Sequence, residues 1–362
     1  MSERLTTILG YATLVAILAA VWVLFGEDPS LRQGGRGERL FDGLQTRVNT
    51  AARLILSQSD RHVTLVRDGT HWTVAERDGY EADPVRVRDL LRGLALSERR
   101  EPMTANRDRF DALGLDNASA IALTLADDAD APLADLSVGT RKEGGAGRSL
   151  TYVYRDGDSR AWLVSSLPEI SADPVNWLDT TLLSLDADRI ASVRLGNVTL
   201  DRDADAGEYN LTDLGDDETQ APAWKRRDPA RVLARLTLTD ARRLANPITD
   251  PVRTVIVTVD APQSSQQAET AQAGGSAADG VIAGAEDASG AVTLSLTLKL
   301  FDMEEGHWAQ LAAAGASAEA GLISARTDGW LYKLSEGDAA VLMRARSDFL
   351  EAVQGTDESD QN

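Results

Sequence analysis

The sequence predicts an α+β fold: an N-terminal transmembrane helix followed by two duplicated modules of mainly antiparallel sheet packed with helices. The first observation is a repeat, in which VTLVRD, a turn, HWTVAE and ADPVRVRDLL from Val63 correspond to VTLDRD, a turn, EYNLTD and RDPARVLARL from Val198. The second is the alternation of apolar and polar residues in runs of strand length. The third is an uncharged stretch ahead of both copies, residues 5–26. One element order used twice indicates two similar modules.

Residues 5–26, LTTILGYATLVAILAAVWVLFG, are long enough to cross a hydrocarbon core of about 30 Å as a helix. A cleaved signal peptide is the alternative, but its apolar run is usually about 7 to 15 residues long, and no small-x-small pair follows closely here. We therefore predict an uncleaved anchor, with residues 1–4 cytoplasmic and residues 27–47 as a tether. Three arginines in the tether oppose this orientation by the positive-inside rule, but large carboxy-terminal domains cross largely regardless of charge.

The first module is predicted to span residues 48–187. Asp68-Gly69 is a turn pair typical of a hairpin. Asp83 suits an N-cap and Pro84 the first helical position, and an apolar stripe at helical spacing follows: Val87, Leu90, Leu91 and Leu94. The predicted strands are 48–56, 63–66, 71–74, 120–125, 133–138, 151–154 and 161–164, and a short helix is predicted in VNWLDTTLLSL after Pro174.

The second module is predicted to span residues 188–353 and to repeat this order. The predicted elements are strands at 190–195, 254–259 and 292–300, helices at 308–313 and 339–353, a helix starting at Asp228-Pro229, and hairpins after Val198 and around Asp328-Gly329 within 321–334. Residues 263–291 are small, polar and acidic, so a disordered insertion is predicted there. Residues 354–362 are predicted to form an acidic tail.

Composition excludes several kinds of partner and site. The formal net charge is -20, whereas a phosphate-backbone partner needs a clustered basic surface, so no nucleic acid partner is expected. The chain has no cysteine, which excludes disulfides, thiolate metal sites and the lipid-bearing cysteine of a bacterial lipoprotein.

No metal or cofactor site is predicted. Zinc needs further ligands in tetrahedral geometry, which the spacing around the three histidines does not provide: His62, His71 and His307. Alternating aspartates in two places have the look of a calcium loop: Asp201, Asp203 and Asp205, and Asp127, Asp128 and Asp130. In the loop from Asp201, the EF-hand positions for glycine and glutamate hold Ala206 and Thr212. We predict solvated turns at both places.

No catalytic residue is predicted either, and the chain is expected not to be an enzyme. A G-x-S-x-G elbow is absent, and Ser165-Ser166 has no histidine placed beside it. The glycine-rich GTRKEGGAG departs from the phosphate-loop pattern. The tryptophans are predicted to be core residues, with an exposed sugar-binding platform as the alternative: Trp72, Trp162, Trp177, Trp224, Trp308 and Trp330.

Several segments together resemble the bacterial family called domain of unknown function 4340. They are TLVRDGTHWTVAE, ADPVRVRDLL, EPMTANRDRFDALGL and VNWLDTTLL, preceded by the uncharged N-terminal run. The resemblance covers most of the first module and, more weakly, the second. It implies a single-span protein of the bacterial inner (cytoplasmic) membrane, with its C-terminal domain periplasmic or extracytoplasmic. It also implies an accessory role beside ABC-type transporters of the gliding-motility kind. The family brings no established activity, so no chemistry follows from it.

Two functions are compatible with these observations. The first is a membrane-anchored, non-enzymatic extracytoplasmic interaction protein, an auxiliary component of an ABC-type transport or gliding-motility-like envelope complex. Its partners are then membrane proteins such as permease subunits. The alternative is an extracytoplasmic ligand-binding or hydrolytic protein that acts on envelope polymers and recruits Asp127 or Asp203. We predict the first.

Overall fold

The computed structural model describes residues 36–143, 149–261 and 294–351. The predicted anchor (5–26), insertion (263–291) and acidic tail (354–362) lie outside these ranges. The contacts group the chain into two compact units, the first holding the residues up to Gly69 and Val85–Asp173, the second Thr70–Pro84 and the residues from Pro174 onward. Within the described ranges, no helix combines the length and the apolar character needed to cross a membrane.

The strands and helices of the first half of the chain follow a short helix. They are α1 (Leu44–Arg47), β1 (Ala51–Gln58), β2 (Arg61–Asp68), β3 (His71–Val74), β4 (Tyr80–Glu81), α2 (Pro84–Leu96), β5 (Arg99–Pro102), β6 (Ile121–Asp127), β7 (Pro132–Glu143), β8 (Ser149–Tyr154) and β9 (Trp162–Ser165). Single 3-10 turns lie at Val48–Thr50, Ala75–Arg77, Arg107–Arg109, Asp111–Leu113 and Pro174–Trp177.

The first unit is built on one antiparallel sheet whose strands follow the order β2-β1-β6-β7-β8-β9-β5. Leu54 on β1 pairs with Leu65 on β2 and Leu125 on β6, and all three side chains are buried. Alternate residues of a strand point to one face, so this register places leucines of three strands side by side in the core. Helix α2 buries the predicted stripe at Val87, Leu90 and Leu94.

The second half of the chain has a similar set of elements. They are β10 (Ile190–Leu195), β11 (Val198–Arg202), β12 (Tyr209–Leu211), α3 (Ala223–Ala234), β13 (Asp240–Arg243), β14 (Arg253–Val259), β15 (Leu294–Met303), β16 (Gly306–Ala314), α4 (Ala318–Thr327), β17 (Trp330–Lys333) and α5 (Glu336–Leu342), with 3-10 turns at Ala187–Arg189 and Arg346–Phe349. Its antiparallel sheet has the order β12-β11-β10-β14-β15-β16-β17-β13.

The two sheets use one pattern of strands. In each, a hairpin, β2-β1 in the first and β11-β10 in the second, is followed by four strands in chain order. The last place belongs to the strand that comes after a helix, β5 after α2 and β13 after α3, and the second sheet adds β12 outside its hairpin. Both units also place an arginine of that last strand over a tryptophan of its neighbour. Arg99 lies 5.1 Å from the Trp162 ring centroid, and Arg243 lies 4.1 Å from that of Trp330.

The predicted α+β class is wrong for the described chain, which is mainly antiparallel strand in two sheets with few helices. The predicted helix at 308–313 is part of strand β16, whose backbone pairs with β15 and β17. Sheet pairing therefore overrides the local helix preference of its alanines. The predicted short helix after Pro174 is a single 3-10 turn, and the predicted terminal helix ends at Leu342.

Two further predictions in the second unit are wrong. The first arm of the predicted hairpin at 321–334 is helix α4, which begins with Ser317 as its N-cap: the Ser317 hydroxyl accepts a hydrogen bond from the Ala320 amide. The helix expected to start at Asp228-Pro229 starts at Ala223, so Pro229 lies inside α3.

Candidate interaction surface on helix α3

The three histidines hold separate, ordinary positions. His62 and His71 are exposed on strands β2 and β3. His307 on β16 is partly buried, with Asp302 3.4 Å from its Nδ1 and Glu336 3.5 Å from its Nε2. One carboxylate faces each ring nitrogen, so these groups do not converge on a common point.

Both aspartate clusters lie in turns, and in each turn one aspartate carboxylate accepts hydrogen bonds from backbone amides. Asp203 Oδ1 accepts hydrogen bonds from the amides of Ala206 and Asp205 at 2.8 and 2.9 Å, and these bonds lower the pKa of its carboxyl group. Asp127 Oδ1 accepts from the amides of Ala129 and Ala131 at 3.0 and 2.9 Å. Among the described residues, no group of three or more His, Asp or Glu side chains is arranged to hold a metal ion.

Ser165 and Ser166 lie at the end of strand β9. Ser165 closes β9, where its hydroxyl accepts a hydrogen bond from Arg100 Nε at 3.2 Å. Ser166 has a φ of 72°. Neither geometry supplies the base that a serine nucleophile requires.

Trp224 departs from the prediction that the tryptophans are core residues. The prediction is confirmed for four of them, which are buried: Trp162, Trp177, Trp308 and Trp330. Trp72 is partly buried. Trp224 is 66% exposed, although it lies in the first turn of a helix. A sugar-binding platform needs several exposed aromatic rings on one face, and Trp224 is the only strongly exposed tryptophan in the described part of the chain.

Helix α3 tolerates its internal proline because Arg344 replaces the missing backbone donor. Pro229 has no N–H, which leaves the carbonyl of Lys225, four residues earlier, without its helical partner. Arg344 Nη1 donates to that carbonyl at 3.1 Å, and Arg344 Nη2 donates to Asp228 Oδ2 at 3.0 Å. The helix therefore begins ahead of Asp228, which places Trp224 on it.

A buried arginine attaches α3 to strand β12. Arg226 Nε donates to the carbonyl of Ala221 at 2.9 Å, and Arg226 Nη1 donates to the Tyr209 carbonyl, the Asn210 side chain and, at 3.1 Å, Gln220 Oε1. Arg226 is only 8% exposed, so these acceptors take the place of water around its charge. With this side fixed, the opposite side of α3 faces solvent.

One tryptophan and three arginines are exposed on the solvent side of α3 and at its C-cap residue, and we call this surface the α3 face. Its members are exposed and follow helical spacing: Trp224, Arg227, Arg231 and Arg235. At about 100° per residue, Arg231 lies about 20° from Trp224 around the helix and Arg227 about 60° from it. Arg235 is the C-cap residue that follows the last turn. Arg231 pairs with Asp228 at 3.3 Å. Within the described residues, the side chains of Arg227 and Arg235 form no ion pair or hydrogen bond.

Two grooves run beside the α3 face. The larger, of about 720 Å³, lies next to Leu185, Val232 and Arg235 and has Asp186 and Asp338 at its wall. The smaller, of about 420 Å³, lies between Glu208 and the first turns of α3 and includes Trp224 and Arg227. Arg231 lines both, so the grooves flank one continuous strip of the helix.

This arrangement is suited to binding. A guanidinium group can donate paired hydrogen bonds to a carboxylate, and an indole supplies a large apolar area with a polar edge. Asp186 accepts a hydrogen bond from the Asp188 amide, and Asp338 accepts one from the Ser335 hydroxyl, so both carboxylates are engaged within their own turns.

Sequence reasoning missed this surface because it placed the helix start six residues too late. With Asp228 as the N-cap, Trp224 falls in a loop before the helix and shares no face with the arginines. One signal was present: W-x-x-R-x-x-x-R-x-x-x-R from Trp224 has helical spacing. This spacing predicts a helix that begins near Trp224 only if Pro229 lies inside that helix.

A family model described as Domain of unknown function (DUF4340) matches residues 72–254, which includes the whole α3 face. No curated protein and no solved structure matches the chain.

Proposed function

This chain belongs to the DUF4340 family, and from that premise we propose that it is a non-enzymatic interaction protein that binds a protein partner on the α3 face. The observation that carries the proposal is the exposure of Trp224 in line with three arginines. Tryptophan and arginine are enriched among the residues that dominate protein interfaces. A 66% exposed indole leaves apolar surface in water that a partner can cover.

We further propose that the protein is an auxiliary component of an ABC-type transport or gliding-motility-like envelope complex. The support is the resemblance of its sequence segments and the uncharged run 5–26, which has the length of an anchor. The partner is then an inner-membrane protein with a carboxylate-bearing segment outside the cytoplasm. The alternative, a ligand-binding or hydrolytic protein acting on envelope polymers, needs Asp127 or Asp203, and the turn amides already use these carboxylates.

Co-purification tests the partner. The tagged full chain is crosslinked mildly in membranes, purified and analysed by mass spectrometry, beside Trp224→Ala and the double variant Arg227→Glu/Arg235→Glu. We expect both to lose the co-purifying permease subunits by on the order of tenfold, because interface tryptophans and arginines carry much of the binding energy. The matched control is Arg88→Glu/Arg92→Glu on α2, which changes the net charge equally at exposed positions. Retention of the subunits by the α3 variants contradicts the proposal.

Sidedness is tested separately. Alkaline phosphatase fused after Asn362 is expected to be active, and carbonate extraction is expected to leave the chain in the membrane fraction. An inactive phosphatase fusion beside a fluorescent cytoplasmic reporter fusion contradicts the extracytoplasmic location. Release by carbonate contradicts the anchor.

A further inference from the structure

The described chain ends close to the start of α3. Gln220 and Leu350 form an antiparallel bridge, and the Glu351 amide donates to the Thr219 carbonyl at 2.8 Å. Helix α3 begins four residues after Thr219. The segment that follows, residues 352–362, therefore starts beside the helix that carries the α3 face.

The segment 352–362 has a charge opposite to that of the α3 face and is long enough to reach it. The segment AVQGTDESDQN carries three carboxylates and no basic residue: Asp357, Glu358 and Asp360. The α3 face presents three exposed arginines, two of them free of described ion pairs. An extended chain covers about 3.4 Å per residue, so these carboxylates reach about 20 to 31 Å from Glu351. From Thr219, four extended residues and a helix rising about 1.5 Å per residue put Arg227 and Arg231 at most about 20 and 26 Å away.

We propose that the acidic segment 352–362 docks on the α3 face of its own chain, with its carboxylates against Arg227 and Arg231 and its backbone over Trp224. The segment thereby competes with the protein partner for this surface. That competition rests on the proposed function, whereas the contact itself does not. Exposed ion pairs are individually weak, but the covalent link raises the effective concentration of the segment, so the contact forms and still yields to a partner.

The absence of cysteine allows a direct test in the full chain. Ser359→Cys is labelled with bimane, a small fluorophore that tryptophan quenches on contact. We expect roughly twofold lower fluorescence than in the same chain carrying Trp224→Phe, and recovery of the signal at high salt, because salt screens exposed charges. Arg227→Glu/Arg231→Glu should also restore fluorescence, whereas Arg88→Glu/Arg92→Glu should not. Circular dichroism checks that each variant is folded.

Equal fluorescence with and without Trp224, at any salt concentration, overturns the proposal. If the fluorescence is equal and the labelled chain binds phosphatidylglycerol vesicles through Arg227 and Arg231, the occupant of the α3 face is a membrane surface. That result also overturns the proposal. A stop codon after Glu351 should raise co-purification of the partner several-fold. Unchanged capture by the truncated chain overturns the competition. Quenching by Trp224 combined with capture that ignores Trp224→Ala supports the contact and refutes only the proposed function.

Discussion

Arg344 makes an internal proline compatible with a regular helix. Proline inside a helix removes a backbone hydrogen bond and leaves a carbonyl unpaired. Here the unpaired carbonyl of Lys225 and the carboxylate of Asp228 lie one turn apart on α3, and a single guanidinium group binds both. The Arg344 and Asp228 side chains are only 20% and 15% exposed, so water cannot fully replace either bond.

Arg344→Met should lower the free energy of unfolding of the second unit by about 1–3 kcal/mol, because it leaves the Lys225 carbonyl without a donor and the Asp228 carboxylate with Arg231 as its remaining partner. Pro229→Ala restores the N–H that Lys225 lacks. In the Pro229→Ala background, Arg344→Met should therefore lower the free energy of unfolding by less than it does in the parent chain. Urea unfolding of the parent chain, both single variants and the double variant measures this difference. Equal losses in the two backgrounds would show that the carbonyl contact does not contribute.

Tyr209 makes the stability of the same region depend on alkaline pH. Its hydroxyl donates to the Ile190 carbonyl at 2.8 Å, and burial raises its pKa to about 12. An unfolded tyrosine ionises near pH 10, so above that pH the unfolded chain loses a proton that the folded chain keeps. The stability that the raised pKa of Tyr209 reflects is fully present below about pH 10 and is lost as the pH rises toward about 12. Burial also raises the pKa values of Tyr80 and Tyr332, which act in the same direction.

Tyr209→Phe should therefore reduce the alkaline loss of stability. Near neutral pH the variant should lose about 0.5–1.5 kcal/mol for the missing hydrogen bond. Between about pH 10 and 12 its free energy of unfolding should fall by about 2 kcal/mol less than that of the parent chain. Urea unfolding at several pH values checks both differences. Parallel pH profiles would contradict the assignment to Tyr209.

At the level of elements, local patterns predicted most strands, whereas the errors arose where distant parts of the chain decide. Strands β3 and β10 have the predicted bounds, because alternation and turn residues are local signals. Residues 308–313 are rich in alanine but become a strand, because β15 and β17 provide pairing partners. The helix α3 accommodates Pro229 through Arg344, more than a hundred residues away, so the Asp228-Pro229 pair by itself predicts a later start, and only the helical spacing from Trp224 argues against it.

Two helix glycines should respond in opposite directions to the same substitution. A Cβ at Gly93 in α2 would lie 2.6 Å from the Ser166 carbonyl oxygen and 2.8 Å from Pro168 Cδ, whereas one at Gly321 in α4 would have no neighbour within 4 Å. Gly93→Ala should destabilise the first unit by about 1–3 kcal/mol, because the backbone must move. Gly321→Ala should stabilise the second by about 0.5–1 kcal/mol, because alanine favours helix. Thermal unfolding measures both, and a stabilising Gly93→Ala would refute the close packing of α2.

For the molecule as a whole, the shared strand order accounts for the repeat in the sequence, but the second unit is not continuous along the chain. Residues 70–84 belong to it by their contacts. Arg77 pairs with Asp240 at 2.6 Å, and the Asp83 amide donates to the Trp177 carbonyl at 2.8 Å. Tyr80 meets the ring of Trp330 edge-on, with centroids 4.8 Å apart.

Residues 174–362 expressed alone should therefore be less stable than the same residues preceded by 70–84. Without Tyr80 the rings of Trp330 and Tyr332 lose an aromatic neighbour, and the second unit also loses the Arg77–Asp240 pair. Loss of one buried aromatic side chain costs about 3–5 kcal/mol, which lowers the thermal midpoint of a domain of this size by about 10 °C.

A short Gly-Ser linker can join Pro84 to Pro174, because Asp83 already bonds to Trp177. In this linked chain, Tyr80→Ala should remove most of the gain, whereas replacement of the exposed Ala75 by Ser should not. Equal midpoints with and without residues 70–84 would mean that the second unit folds independently of them.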